Sequence, residues 1–253
     1  MGNEILIDLL KTFDPEHPNF RPTELYNEGW LLRIVLNEYS NHRITNQLLS
    51  FQQGATWFSE AMLPTKFTAR KDIGRSDPLA ESRTNADGVM GHIEIGNEGK
   101  ADLELADNAS QFIVIEAKMN SKLTEYVSNV PGYDQAARTV ACMAESLRRK
   151  NIHPDKMESF GYYVLAPEKR IGNSNFKKLV DECSIKDAVR KRVDGYKDET
   201  EYKKYDDWFK NWFEPTLEKI ELDVISWETV IEQLPDGAKK KVDNFYQQCL
   251  KHN

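Results

Sequence analysis

Cysteine is scarce in this sequence. There are three in 253 residues, Cys142, Cys183 and Cys249, far apart and without a Cys-x-x-Cys. That excludes a disulfide-stapled scaffold and a thiolate zinc site, and it points to a reducing cytoplasm. Long apolar runs are missing too: none approaches the ~20 residues of a membrane-spanning helix, so no membrane partner is expected. The opening MGNEILIDLL has no basic start and no signal-peptide core, and reads as an amphipathic helix. Gly2 invites an acylation reading, but Leu6 stands where that pattern needs Ser or Thr. There is no basic excess: 34 Lys and Arg stand against 41 Asp and Glu, a net charge of −7. This argues against avid non-specific binding of nucleic acid, though not against a local basic patch. No GxxxxGK[ST], HExxH or GxSxG occurs, which leaves P-loop hydrolysis, a zincin site and a nucleophile elbow unsupported.

What is present centres on residues 99–118, GKADLELADNASQFIVIEAK. The stretch reads as two strands joined by a polar turn at 107–110. Side chains alternate along a strand, so Phe112, Val114, Glu116 and Lys118 share one face, and Ile113, Ile115 and Ala117 the other. Glu116 and Lys118 then project together from the end of a buried strand. If the two strands pair, Asp102 reaches the same end.

Asp102, Glu116, Ala117 and Lys118 resemble the PD-(D/E)XK nuclease superfamily, in which an Asp on one strand is followed by Glu-x-Lys closing the next. Ala101 replaces the family's proline. The resemblance covers about residues 22–167. It implies an α/β fold, a three-layer restriction-endonuclease-like core with a mixed sheet of four to five strands flanked by helices. Residues 1–170 would form that core, and 171–253 a mainly helical C-terminal extension packed on it. It further implies a metal-dependent nuclease acting on DNA. Asp102 and Glu116 would bind Mg²⁺, or Mn²⁺ in its place, with the Ala117 carbonyl as backbone ligand and Lys118 assisting the attacking water. Two carboxylates at a strand end suit a hard cation that keeps several waters. The family often works as a homodimer or inside a larger complex. The alternative is an inactive nucleic-acid-binding or protein-assembly module on the same fold, which the acidic charge would also suit.

Further candidates lie along the chain. A helix is expected over 23–39, with Leu25, Leu32, Val35, Leu36 and Tyr39 as its apolar stripe. Glu28 falls inside that stripe, where a carboxylate is costly unless paired or on a metal; it resembles the acid that a helix before the sheet supplies in this family. Residues 44–62 read as one broken helix or two short ones. In the polar stretch 64–86, Arg70, Lys71, Arg75 and Arg83 would suit phosphate contacts. The run 87–95 reads as the first strand of a three-stranded meander completed by the two strands above. Asp87 rivals Asp102 for the first acid; Asp102 is preferred because Asp87 lies farther from Glu116 and starts a strand. A helix over 131–150 carries small apolar residues and, in its first turn, Tyr133 and Gln135, which resemble the Gln and Tyr of recombination nucleases. Residues 159–167 read as the next strand, and 220–226 as one that could extend the sheet. Basic runs at 148–150, 177–178, 190–192 and 203–204 read first as solvated helix faces. Trp208, Phe209, Trp212 and Phe213 read as core, and His92 as structural.

Overall fold

The computed structural model describes residues 2–44, 47, 49–82, 84–96, 99, 101–126 and 132–253. Arg83, Asn97, Glu98 and Pro131, expected in a phosphate-contacting loop, a turn and a helix start, lie outside them. Among the described residues five strands make a central mixed sheet. In spatial order they are β1 (Thr56–Leu63), β2 (Thr84–Gly91), β5 (Gln111–Ala117), β6 (Ser159–Ala166) and β7 (Glu221–Ser226). β1, β2 and β5 pair antiparallel, while β5, β6 and β7 pair parallel. The segment after residue 170 therefore supplies an edge strand to the same sheet. β3 (Ile93–Ile95) and β4 (Leu103–Leu105) form a separate two-stranded ribbon.

Helices cover both faces, and one face carries α3 (Glu28–His42), α10 (Trp227–Glu232) and α11 (Asp236–His252). The other carries α4 (Gln135–Lys150), α7 (Glu182–Asp194), α8 (Tyr202–Trp208) and α9 (Glu214–Lys219). Four short helices complete the chain: α1 (Gly2–Lys11), α2 (Pro22–Leu25), α5 (Glu168–Ile171) and α6 (Phe176–Leu179). None of the described helices is long and apolar enough to cross a membrane.

The local reasons are plain in α3 and α4. Asn27 caps α3 by accepting from the Trp30 amide at 3.0 Å, and Arg43 closes the helix in the left-handed region. Leu31, Leu32, Val35, Leu36 and Tyr39 are fully buried, each worth about 1.5–3 kcal/mol of apolar burial. Gly88 of β2 leaves room for this packing, since a Cβ there would lie 2.8 Å from Leu32 Cδ2. Asp134 caps α4 by accepting from the Ala137 amide at 3.0 Å, and Ala136, Ala137, Ala141 and Ala144 let that helix lie close to the sheet. β5 is buried at every position. The aromatic cluster Trp208, Phe209 and Phe213 is buried as core, on a short π-helical turn over Phe209–Phe213.

Two expectations are corrected. Residues 56–63 form strand β1 rather than helix: Thr56, Trp57 and Phe58 suit a pleated surface, and pairing along β2 fixes the run. The meander also fails, because the run 84–95 bends at Gly91, whose φ is 144°. β2 ends there and pairs with β5, while β3 leaves the sheet to pair with β4. A Cβ at Gly91 would sit 2.1 Å from the Gln111 carbonyl oxygen. Gly91→Ala is therefore expected to cost on the order of 3 kcal/mol or more, read as a lower urea midpoint. His92, just past the bend, is structural as expected. Its Nδ1 accepts from the Ser110 and Gln111 amides, each at 3.2 Å, and its Nε2 donates to the Gln53 carbonyl at 3.0 Å.

Candidate active site

The register of the sheet builds the site. Gly88 pairs with Ile115 in β2–β5, so the next step along the ladder sets Asp87 opposite Glu116. Ser59 pairs with Gly88 and Ala61 with Ala86 in β1–β2, which brackets Glu60 opposite Asp87. Three carboxylates, Glu60, Asp87 and Glu116, thus stand in one row across three strands. Glu60 has a φ of 59°. A non-glycine residue seldom takes that conformation in the middle of a strand.

Glu116 alternates with Phe112 and Val114 and faces the α4 layer, as expected. It is buried, and its Oε1 accepts from Lys118 Nζ at 2.5 Å and from Gln135 Nε2 at 2.6 Å. Gln135 is the first residue of α4, and its own amide donates to the Thr124 carbonyl at 2.9 Å, which fixes where that helix starts. Asp87 Oδ2 accepts from the Ala117 amide at 2.8 Å. Burial first, and the neighbouring Asp87 second, push the Glu116 carboxyl up to about 8. A like charge beside a buried carboxyl disfavours its ionised form, so Glu116 holds its proton to higher pH. Burial alone would lower the Lys118 amine, but Glu116, then Asp87 and Glu28, outweigh it and raise it, so it stays an ammonium. Glu60 is raised by burial and by Asp87, with Arg33 opposing. The Tyr162 hydroxyl, buried and raised chiefly by burial, also feels Glu116 and Asp87.

The predicted residues divide as follows. Glu116, Lys118, Ala117 and Gln135 come together. Glu28 is half-buried in the first turn of α3 and reaches Lys118 electrostatically from the opposite layer. Asp102 does not join them, which corrects the preference for it as first acid. β4, which follows it, pairs with β3, and Asp102 itself bridges Met62 on the outer edge of β1. β1 and β2 therefore stand between it and Glu116, and Asp87 holds the position expected of Asp102. Tyr133 lies before the helix, buried in an aromatic cluster with Phe67. Arg70 is buried between Asp77 and Glu199 and is structural. Arg192 is buried too, 4.4 Å over the Phe67 ring. Glu60 was missed because its stretch read as helix. Gly88 and Gly91 carried the signal for Asp87: glycines inside a strand mark close approach or a bend.

Among the described residues no three acidic, histidine or cysteine side chains surround a point as a ready metal cage. What stands there is a buried Glu116 carboxyl, raised by burial and by the half-buried Asp87 beside it, flanked by an ammonium, an amide and a further acid. Such a set can hold a hard cation in place of the proton, with water completing the shell. Neither a family model, a curated protein nor a solved structure matches this chain.

Proposed function

We propose that this chain is a metal-dependent nuclease of the PD-(D/E)XK type, with Asp87, Glu116 and Lys118 as its motif and DNA as its substrate. The observation that carries the reading is the registered pair Asp87–Glu116 with Lys118 Nζ 2.5 Å from Glu116. The donor set fits Mg²⁺ or Mn²⁺: Asp87 and Glu116 would hold it, with the Ala117 carbonyl and, from the other layer, Glu28. When bound, such an ion lowers the pKa of a water and polarises a phosphoryl oxygen. Lys118 orients the attacking water and offsets negative charge building on the phosphate. Gln135 locks the Glu116 carboxylate in place.

The test is cleavage of linear and circular DNA, single- and double-stranded, with Mg²⁺ or Mn²⁺. Metal-dependent cutting that disappears in Lys118→Ala supports the reading; no cutting of any of these substrates rejects it. Gln135→Leu is expected to lower the rate or the Mg²⁺ affinity by about 10- to 100-fold, as loss of an orienting partner does. A Gln135→Leu enzyme with unchanged Mg²⁺ titration would remove that role. A second reading, a partner-binding module, is favoured by α1, whose Ile5, Leu6 and Ile7 are 77 %, 53 % and 48 % exposed. Binding without cleavage would distinguish it.

A further inference from the structure

Beside the carboxylate row the surface carries a large ring that the fold leaves half-exposed. Trp30 lies in the first turn of α3, two residues after Glu28, and is 44 % exposed. Leu31, Leu32, Val35 and Leu36 supply that helix's core face, and Trp30 lies outside it. Arg33, one turn on, lays its guanidinium over the Trp30 ring, 5.1 Å from its centre. Its Nε donates to Ser59 Oγ at 2.9 Å, and its Nη2 lies 3.5 Å from Glu60. Ser59 and Glu60 are the β1 residues level with Gly88 and Asp87. Two elements therefore fix a half-exposed ring and a guanidinium as one unit next to the centre. A second ring, Tyr126, is 65 % exposed. It stands two residues past Thr124, whose carbonyl holds Gln135 on the α4 side.

A half-exposed indole stacked with a fixed guanidinium matches an unpaired nucleotide. The base stacks on the indole, and the phosphate meets the guanidinium. Bases inside a duplex are already stacked on each other and offer no free face. We propose that Trp30 and Arg33 form a platform for single-stranded DNA, so that this centre acts on an unpaired strand. The proposal rests on the nuclease reading above and names its substrate.

The experiment is fluorescence anisotropy on the full chain carrying Lys118→Ala, in Mg²⁺, with a labelled oligothymidylate and a blunt duplex of equal length. The oligothymidylate is expected to bind more tightly. Adding Trp30→Ala is expected to weaken it by roughly 5- to 100-fold, the range for losing one stacked base, and to leave duplex binding unchanged. Trp30→Phe keeps most of the affinity. Equal affinity for the two probes, or unchanged binding in Trp30→Ala, overturns the platform. The two readings fail separately. Trp30-dependent binding by a wild type that never cuts sinks the nuclease and keeps the platform; cutting that ignores Trp30 does the reverse.

Discussion

Asp87→Asn is expected to abolish DNA cleavage, while Asp102→Asn leaves the rate unchanged. The argument is positional. Asp87 stands one strand from Glu116 and is registered opposite it, and its carboxylate holds the Ala117 amide. An asparagine at 87 keeps the size of the side chain and removes the charge that a cation needs. Losing one anionic ligand forfeits about 4 kcal/mol of transition-state stabilisation, or about a thousandfold in rate. Asp102 sits beyond β1 on the outer edge. It is buried and partnered there, so its replacement is expected to lower the thermal midpoint without altering the rate of what remains folded. The measurement is initial cleavage rate against Mg²⁺ concentration for both variants, normalised to folded protein. An Asp87→Asn enzyme that cuts normally, or an inactive but folded Asp102→Asn, would return the first acid to Asp102.

The contrast between these two acids shows how far the residues alone could lead. Glu116 and Lys118 were legible because alternation is local: an apolar run closing on Glu-x-Lys fixes which side chains share a face. Glu28 and Gln135 were legible for a similar reason, since helix periodicity is short-range, although the helix expected from 131 begins only at Gln135, where Asp134 caps it. Pairing is not local. The turn at 107–110 made Ala101–Ala106 the obvious neighbour of β5, yet a bend at Gly91 sends β3 and β4 off as a separate ribbon. Residues far apart in sequence, Gly88 and Ile115, then become partners. The same competition hid β1. Thr56–Leu63 has a composition that either helix or strand accepts, and only the edge of β2 decides it. The C-terminal strand was visible as Ile220–Ser226, but its place beside β6 depends on a crossover through several helices.

The metal-free protein is expected to lose stability as pH rises from about 4.5 to about 8, and Mg²⁺ is expected to restore it. Glu116 is the reason. In the unfolded chain its carboxyl takes its ordinary value of 4.5, and burial with Asp87 raises it to about 8 in the folded protein. Between those values the folded state holds a proton that the unfolded state has released. Stability linked to that proton is complete below about 4.5 and is lost as pH climbs through about 8. The total is on the order of a few kcal/mol, or ~10 °C in the thermal midpoint for a chain of this size. A divalent cation held by Asp87 and Glu116 would replace the Glu116 proton. Its stabilisation would grow as pH rises, because the Glu116 carboxylate is then free to bind it. Glu116→Gln cannot ionise, so its midpoint is expected to vary less over this window and to gain little from Mg²⁺. Thermal melts from pH 5 to 8.5 in EDTA and in excess Mg²⁺ read both effects. Equal pH slopes for wild type and Glu116→Gln would place the proton elsewhere. An Mg²⁺ shift that survives Glu116→Gln would remove that carboxylate from the ion's shell. A wild-type midpoint that falls with pH and recovers only with the divalent ion would tie the buried Glu116 carboxyl to the chemistry proposed for it.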